Sequence, residues 1–470
     1  MSTSRREFLR NTALAGFGIG LFGVTAGCSS AGASSGAGIS ETHDRASGAK
    51  SVHDLTTNPL GKVRVGIIGL SRGMSLLQGA LRTEFAEVTV VCDLRKDRCD
   101  NAVKAVNKAY GKDPAVICGD ENAWEKLCQR DDVDVVVIAT PWEWHVPMAV
   151  YAMNHGKHAF VEVSAAVTVK ECWDLVDTSE RTGKHCVMLE NCCYGESELF
   201  VLNMTRAGVF GELTHGEAAY IHNLRGMLYQ LGTEGDWRRE YHKKFNGNLY
   251  PTHGLGPVAQ YMGVNRGDKF KYIVSVSSPE LGLTKWRDEK NPNKGRHASE
   301  KYVTGDMNTS IIKTELGRTI MVQHDIISPR PYSRINALSG TGATFFGYED
   351  RLAVDSPKQY GLEAHDGGHE WLSDKDLAAM KQKFQHPLIK RLKEKSKGAG
   401  HGGMDFVMIY RHLEAIHLGQ TPDSTVYDAA AWSSILQLST ESVSRGSAPV
   451  EIPDFSRGAW KKLQPLGIVS

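Results

Sequence analysis

Tyr250-Pro251-Thr252-His253 sets a phenol and an imidazole three residues apart in a proline-containing loop, so both can face one crevice. An imidazole exchanges its proton near neutral pH, which makes His253 a candidate acid or base, with Tyr250 beside it. Tyr332 stands in a second proline-bounded run, Ser328-Pro329-Arg330-Pro331-Tyr332-Ser333-Arg334, as a further candidate for that work. A different chemistry is written in Gly69-Leu70-Ser71-Arg72-Gly73. Glycines in the turn after a strand let the backbone approach a pyrophosphate at the N terminus of the next helix. The usual G-x-G-x-x-G spacing is broken here, with Ser71 at the second glycine and Met74 at the third. Asp93 reinforces the reading. It falls 24 residues after Gly69 at the end of the next strand, where a carboxylate accepts from an adenosine ribose and repels a 2′-phosphate. NAD is therefore expected over NADP, with Arg95 and Lys96 nearby as charges of the opposite preference. Pro141-Trp142-Glu143-Trp144-His145 follows the strand ending at Thr140, and two tryptophans beside a proline supply flat walls for a nicotinamide or a ribose.

Other pairings of chemical groups lead nowhere. His365-Asp366-Gly367-Gly368-His369 holds two histidines in a glycine loop, but no third ligand is evident and no metal is expected. The nine cysteines form no C-x-x-C pair, and Cys192 and Cys193 are adjacent, so neither a disulfide framework nor a structural zinc is expected.

The elements that must position these groups alternate in type. From Lys62 onwards, strands over 63–69, 87–93, 134–140, 158–163 and 186–189 are separated by helices over 97–109, 145–155 and 168–182. Nearly unbroken apolar strands need cover on both faces, which predicts an α/β fold with a doubly wound parallel sheet over 60–190. A helix over 194–207 is followed by β-rich stretches at 213–223, 272–278, 309–326 and 334–347. Strands grouped in this way predict a second, α+β domain over 191–470 with an open, largely antiparallel sheet. One face of that sheet would meet the ligand and the other would be free to pair with a second copy in a homodimer. The polar stretch 281–305 reads as a surface loop, and helices over 404–418 and 425–444 close the fold. His401-Gly402-Gly403-Met404-Asp405 opens the first of these, either as a plain helix start or with its histidine reaching the site.

The N terminus reads as an address. Ser4-Arg5-Arg6-Glu7-Phe8-Leu9-Arg10 matches the twin-arginine export signal in all but its last residue. The apolar run from Thr12 to Ala26 is too short to span ~30 Å of hydrocarbon as a helix and reads as a signal h-region. Thr25-Ala26-Gly27-Cys28 resembles a lipobox, although Thr25 stands where Leu or Val is usual; ordinary cleavage nearby is the alternative. Residues 1–28 are thus expected to be a signal peptide, and 29–59, rich at first in Ser, Gly and Ala, a flexible linker. The destination is the periplasm or the outer membrane, with Cys28 as the point of a lipid anchor. A net charge of +1 without a long basic run argues against nucleic acid as a partner.

The motifs A-T-P-x-x-x-H at 139–145 and G-K-H-x-x-x-E at 156–162 resemble the glucose–fructose oxidoreductase/inositol dehydrogenase family over roughly residues 60–455. That family continues E-K-P, its lysine serving near the reacting hydroxyl, whereas Glu162-Val163-Ser164 has none. W-E-W-H at 142–145, E-V-S at 162–164, Asn191, Trp237-Arg238-Arg239, the run Tyr250–Pro257 and the loop 328–334 are similar to family 109 of the glycoside hydrolases, which act on α-N-acetylgalactosaminides. The resemblance implies a Rossmann domain, retained NAD and an N-acetylgalactosamine-terminated glycan as substrate. It also implies a route unlike the usual pair of carboxylates. Oxidation at C3 acidifies the C2 proton, whose loss expels O1; water adds, and the cofactor returns its hydride. Ser71, Arg72, Asp93, Trp142, Glu143, Trp144, His145, Glu162, Val163 and Asn191 fall to the cofactor by this resemblance. Tyr220, Arg239, Tyr250, Pro251, Thr252, His253 and Tyr332 fall to the sugar, with base and acid unassigned among His253, Tyr250 and Tyr332. An exported sugar oxidoreductase and a non-catalytic sugar- or nucleotide-binding lipoprotein are the competing readings. The missing lysine disfavours the first, and the Tyr250, His253 and Tyr332 group disfavours the second.

Overall fold

Six strands carry the N-terminal half of the computed structural model, which describes residues 40–463. They are β1 (Val63–Ile68), β2 (Ala86–Asp93), β3 (Ala115–Cys118), β4 (Val135–Ile138), β5 (His158–Val161) and β6 (Cys186–Met188). All neighbours are parallel, in the order β3-β2-β1-β4-β5-β6, with the reversal between β1 and β4 that opens a ligand crevice at the strand ends. Every residue of β4 and β5 is buried, as a sheet covered on both faces requires. The helices that supply this cover are α1 (Gly73–Leu81), α2 (Lys96–Tyr110), α3 (Trp142–Asn154) and α4 (Val169–Thr182). A capping box of Thr168 and Glu171 starts α4, and Gly183 ends it in the left-handed region. β3 and its short partner helix Trp124–Cys128 carry little apolar periodicity and escape a reading from sequence.

Helix α5 (Glu196–Arg206) leads into an eight-stranded sheet of order β13-β12-β11-β7-β10-β9-β8-β14. Its strands are β7 (Leu213–Ile221), β8 (Phe270–Ser277), β9 (Asn308–Thr314), β10 (Thr319–Asp325), β11 (Ala337–Gly340), β12 (Ala343–Phe346), β13 (Arg351–Val354) and β14 (Val450–Glu451). All pairings are antiparallel except β7 with β10, which sets Tyr220 beside His324. The stretches 309–326 and 334–347 each resolve into a hairpin, β9–β10 and β11–β12. Three further helices complete the frame: α6 (Glu234–His242), α7 (Thr252–Tyr261) and α8 (Met404–Leu418). A fourth, α9 (Val426–Ser444), packs on α4, β6 and β8 and so ties the two sheets together.

Three expectations are corrected. The linker expected over 29–59 is docked over its second half: Val52 is 3 % exposed, its N–H donates to the Tyr427 hydroxyl, and His53 stacks on the Tyr427 ring at 3.9 Å. Apolar and aromatic side chains hidden in a polar stretch supply the burial. The surface loop expected over 281–305 instead contains helices Gly282–Glu289 and Lys294–His297 and buries Asn291, His297 and Thr304. Tyr250-Pro251-Thr252-His253 is the entry to α7, Pro251 being its N-cap, so His253 sits on a helical first turn. The signal motif, the h-region, Cys28 and the first part of the linker lie outside the described residues. No helix among the described residues is long and apolar enough to cross a membrane.

Candidate functional site

The turn after β1 is shaped as a backbone cradle. Gly69 has φ +85, and a Cβ there would meet the Ala139 carbonyl oxygen at 2.5 Å, so only glycine fits. Asp93 accepts from the Leu70 N–H at 2.6 Å and the Arg95 N–H at 2.8 Å, which fixes the turn and leaves a carboxylate at the cleft wall. Of the cations beside it, Arg95 pairs with Asp97 and Lys96 with Asp100, each at 2.7 Å, whereas Arg98 stands 3.7 Å from Asp93 itself. No side chain caps α1, whose Met74 and Ser75 amides donate to the Ser71 and Arg72 carbonyls. The cleft runs from Asp93 past Gly69, Ser71 and Arg72 to Thr140, Trp142, Trp144, Glu162 and Val163, and ends at Arg238 and Tyr250. These groups fit an NAD.

Arg72 is the hub of the middle of the cleft. Its guanidinium pairs with Glu162 at 3.0 Å and with Asp405 at 2.7 Å. Asp405 also accepts from Ser75 at 2.6 Å, Asn191 at 2.8 Å and His401 at 2.9 Å. Burial opposes its charge, yet the His401, Arg72 and Ser75 donors hold its carboxyl well below the usual range. Burial wins at Glu162, whose carboxyl is raised despite Arg72.

Beyond Tyr250 the character changes to proton transfer. Tyr250 is buried, stacks on Tyr220 at 4.5 Å, and brings its hydroxyl to 3.4 Å from His253 Nε2. On its far side His253 Nδ1 lies 2.7 Å from an oxygen of the buried Glu190. Burial pushes the Glu190 carboxyl upward, but the charge and hydrogen bond of His253 bring it below its usual value. An ionised carboxylate only accepts, so Nδ1 carries the proton, and when the imidazole is neutral Nε2 offers a lone pair. Burial raises both tyrosines, Tyr250 strongly, which keeps them as phenols. Tyr332 closes the wall, edge-on to His222 at 4.8 Å and to Tyr220 at 6.3 Å.

Several expected site residues stand elsewhere. Arg239 is 4 % exposed and turned from the cleft, its guanidinium bound to Glu300 at 2.9 Å and to the Leu228 carbonyl. Its neighbour Arg238 lines the cleft instead, over the Tyr250 ring at 5.0 Å. Glu143 is exposed and does not line the cleft. His145 is buried with its ring nitrogens 2.7 Å from the Ser164 carbonyl and 2.8 Å from the Thr140 carbonyl, so it ties together two loops of the cleft floor. Asn191 serves the cofactor side through Asp405, and the Val163 carbonyl accepts from Trp142 at 3.0 Å. Pro251 and Thr252 are buried beneath His253. Sequence reasoning missed Glu190, Arg238 and Asp405; the only signal for Glu190 was its place at the end of β6, beside Asn191. Glu190, Cys192 and His253 each bring a ligand-type atom within 4.8 Å of the others, two of these atoms being already hydrogen-bonded together. His365 and His369 are exposed.

Comparison with known proteins divides the chain in the same place as the chemistry. Residues 63–190 match the family model described as an oxidoreductase family with an NAD-binding Rossmann fold. Residues 194–462 match that of the glycosyl hydrolase 109 C-terminal domain. A glycosyl hydrolase family 109 protein of Shewanella putrefaciens is 48% identical over 452 residues, covering 95% of this chain and 96% of the relative. A protein of Shewanella oneidensis named alpha-N-acetylgalactosaminidase is 47% identical over 449 residues, with the same coverage of 95% and 96%. Among solved structures, levoglucosan dehydrogenase in complex with NADH is similar in fold, with a TM-score of 0.61, 17% identity, and coverage of 84% of this chain and 100% of that one.

Proposed function

Because the chain belongs to glycosyl hydrolase family 109, as an NAD-dependent glycoside hydrolase, we propose that it removes terminal α-linked N-acetylgalactosamine from glycans and retains its NAD between turnovers. The relative named for that activity supports the substrate class. The observation that carries the reading is the contact of Tyr250 with both halves of the site: its ring lines the nucleotide cleft, and its hydroxyl meets His253. Bound NAD supplies a reversible oxidation of the sugar, beside the carbon that loses its proton. Gly69, Ser71, Arg72 and Asp93 hold its nucleotide end, and Trp142, Glu162 and Val163 flank the other.

The chain's own residues then manage protons and charge. Glu190 orients His253 so that Nε2 can take the C2 proton, and the carboxylate offsets the imidazolium that forms. Arg238, over the ring of Tyr250, is placed to face the negative charge that gathers on the sugar oxygen. Conventional glycosidases need two carboxylates facing the sugar. The two that come nearest, Glu162 and Glu190, are buried and engaged by Arg72 and His253, their side chains 7% and 2% exposed.

The assay is the release of aryl alcohol from an aryl α-N-acetylgalactosaminide by protein purified with its bound cofactor. Release with uptake of solvent deuterium at C2 and no net NADH is expected. Stoichiometric NADH with the glycosidic bond intact would make the protein a sugar oxidoreductase. In the same reading the enzyme works outside the cytoplasm, exported by the arginine pair Arg5-Arg6 and anchored through Cys28. Two copies pair through the open face of the second sheet, where Val276 and Ile311 are exposed. Mass spectrometry of the mature N terminus and light scattering test these points.

A further inference from the structure

Tyr332 is held in an unusual way. Its hydroxyl oxygen accepts a hydrogen bond from Arg334 Nη1 at 3.0 Å, and Arg334 Nη2 donates to the buried carboxylate of Glu198. Arg334 and Glu198 side chains are 8% and 4% exposed, whereas Tyr332 is 39% exposed. The backbone fixes this arrangement against the catalytic wall. Ser333 exchanges hydrogen bonds with Ile221 at 3.0 Å in each direction, and the Ala219 N–H donates to the Arg334 carbonyl at 2.8 Å, which brackets Tyr220. The Arg334 guanidinium also lies over the ring of Tyr348 at 5.4 Å.

A guanidinium has donors and no acceptor. Whatever the Tyr332 proton binds, it is not Arg334, so the O–H is directed away from the guanidinium while its oxygen is occupied from behind. We propose that Arg334, clamped by Glu198, is a positioning residue that turns the Tyr332 O–H into the cleft and makes Tyr332 the proton donor to the departing oxygen. This rests on the glycosidase reading. In the step, the electron pair left at C2 by proton loss forms the C1=C2 bond, and the C1–O1 pair leaves on O1. O1 takes the Tyr332 proton, and the phenolate remains against Arg334. The water that adds to C1 returns a proton to Tyr332, so the residue ends as it began. Glu198 keeps the guanidinium from being a lone buried cation, and its charge is spent before it can reach the phenol.

The test has two arms. With protein carrying 13Cζ-labelled tyrosine, the Tyr332 resonance is identified by its loss in Tyr332→Phe. Its chemical shift at neutral pH, which senses the donor on the hydroxyl oxygen, is expected to change in Arg334→Met and to return part of the way in Arg334→Lys. An unchanged shift in Arg334→Met overturns the proposal whatever the enzyme's substrate. In the second arm, aryl α-N-acetylgalactosaminides with acidic and weakly acidic phenols are compared. Arg334→Met is expected to lose about 100-fold or more in kcat on the phenyl glycoside and far less on the dinitrophenyl glycoside. The double variant with Tyr332→Phe is expected to be no slower than Tyr332→Phe alone. Equal losses on both substrates, or additive losses, overturn it. If the wild-type protein cleaves neither, the glycosidase reading fails while the Tyr332 chemical shift still decides whether Arg334 governs Tyr332. Should Arg334→Met not fold because Glu198 is left unpaired, Arg334→Met/Glu198→Gln removes both charges and serves in its place.

Discussion

Glu190 touches no cleft-lining surface of its own, yet it decides which nitrogen of His253 is free. In Glu190→Gln the amide can donate as well as accept, so the imidazole loses its fixed tautomer and its counter-charge. A fall in kcat of roughly 10²–10⁴-fold is expected, with bound NAD and folding retained, as steady-state kinetics and cofactor absorbance would show. The neighbouring arginines separate cleanly. Arg239→Met takes one partner from Glu300, which keeps Tyr302 at 2.8 Å and Lys243 at 3.6 Å, and is expected to cost about 1.5–3 kcal/mol in urea unfolding, whereas Arg238→Met is expected to lower activity with little change in midpoint. The sequence pointed to Arg239 of the pair Arg238-Arg239, and the cleft holds Arg238 instead. Adjacent residues on a helix face different ways, and only the seating of α6 decides which one meets the cleft. Tyr250 and His253 were legible because their spacing survives whether the backbone is loop or first helical turn. Glu190 was not, because a carboxylate at a strand end looks the same before its partner arrives from 63 residues away.

At the scale of elements, the nucleotide turn after β1 is held by the start of α8. Arg72, Ser75 and Asn191 all converge on Asp405. Removing its charge in Asp405→Asn weakens charge-assisted hydrogen bonds worth about 1.5–3 kcal/mol each. NAD affinity is expected to fall roughly 10–100-fold, measured by equilibrium dialysis; unchanged retention of NAD through gel filtration would contradict this. The parallel strands and the helices with clear caps were readable because burial on both faces and capping residues are local signals. Thr425 and Asp428, which start α9, form such a box. The hairpins inside 309–326 and 334–347 were not separable, since short turns between apolar runs leave the hydrophobic pattern nearly unbroken. The contact of Arg72 with Asp405 has no local signal at all.

For the molecule as a whole, buried neutral histidines set the response to acid. Burial lowers His53, His242 and His324 to about 3, and His185 and His412 to about 4, against an ordinary value of 6.5. Below pH 6.5 the unfolded chain binds protons that the folded chain refuses, so stability present above that pH is lost as the pH falls toward 4. Each such histidine contributes a slope of up to about 1.4 kcal/mol per pH unit. Urea midpoints are expected to drop steeply between pH 7 and 5, and less steeply in His242→Gln/His324→Gln; parallel curves would exclude this origin. The docked segment after residue 40 belongs to the same scale. Glu180 binds both Arg45 and Arg457, so segments near the two ends of the described chain share one buried anchor. The Arg72–Asp405 bond spans 333 residues. At about 5–20 residues per second of synthesis, some 15–70 s separate the emergence of the glycine turn from that of its latch. A nascent chain therefore carries an open nucleotide turn for most of its time on the ribosome, and cofactor loading becomes a late event, completed only when the C-terminal helices have been made.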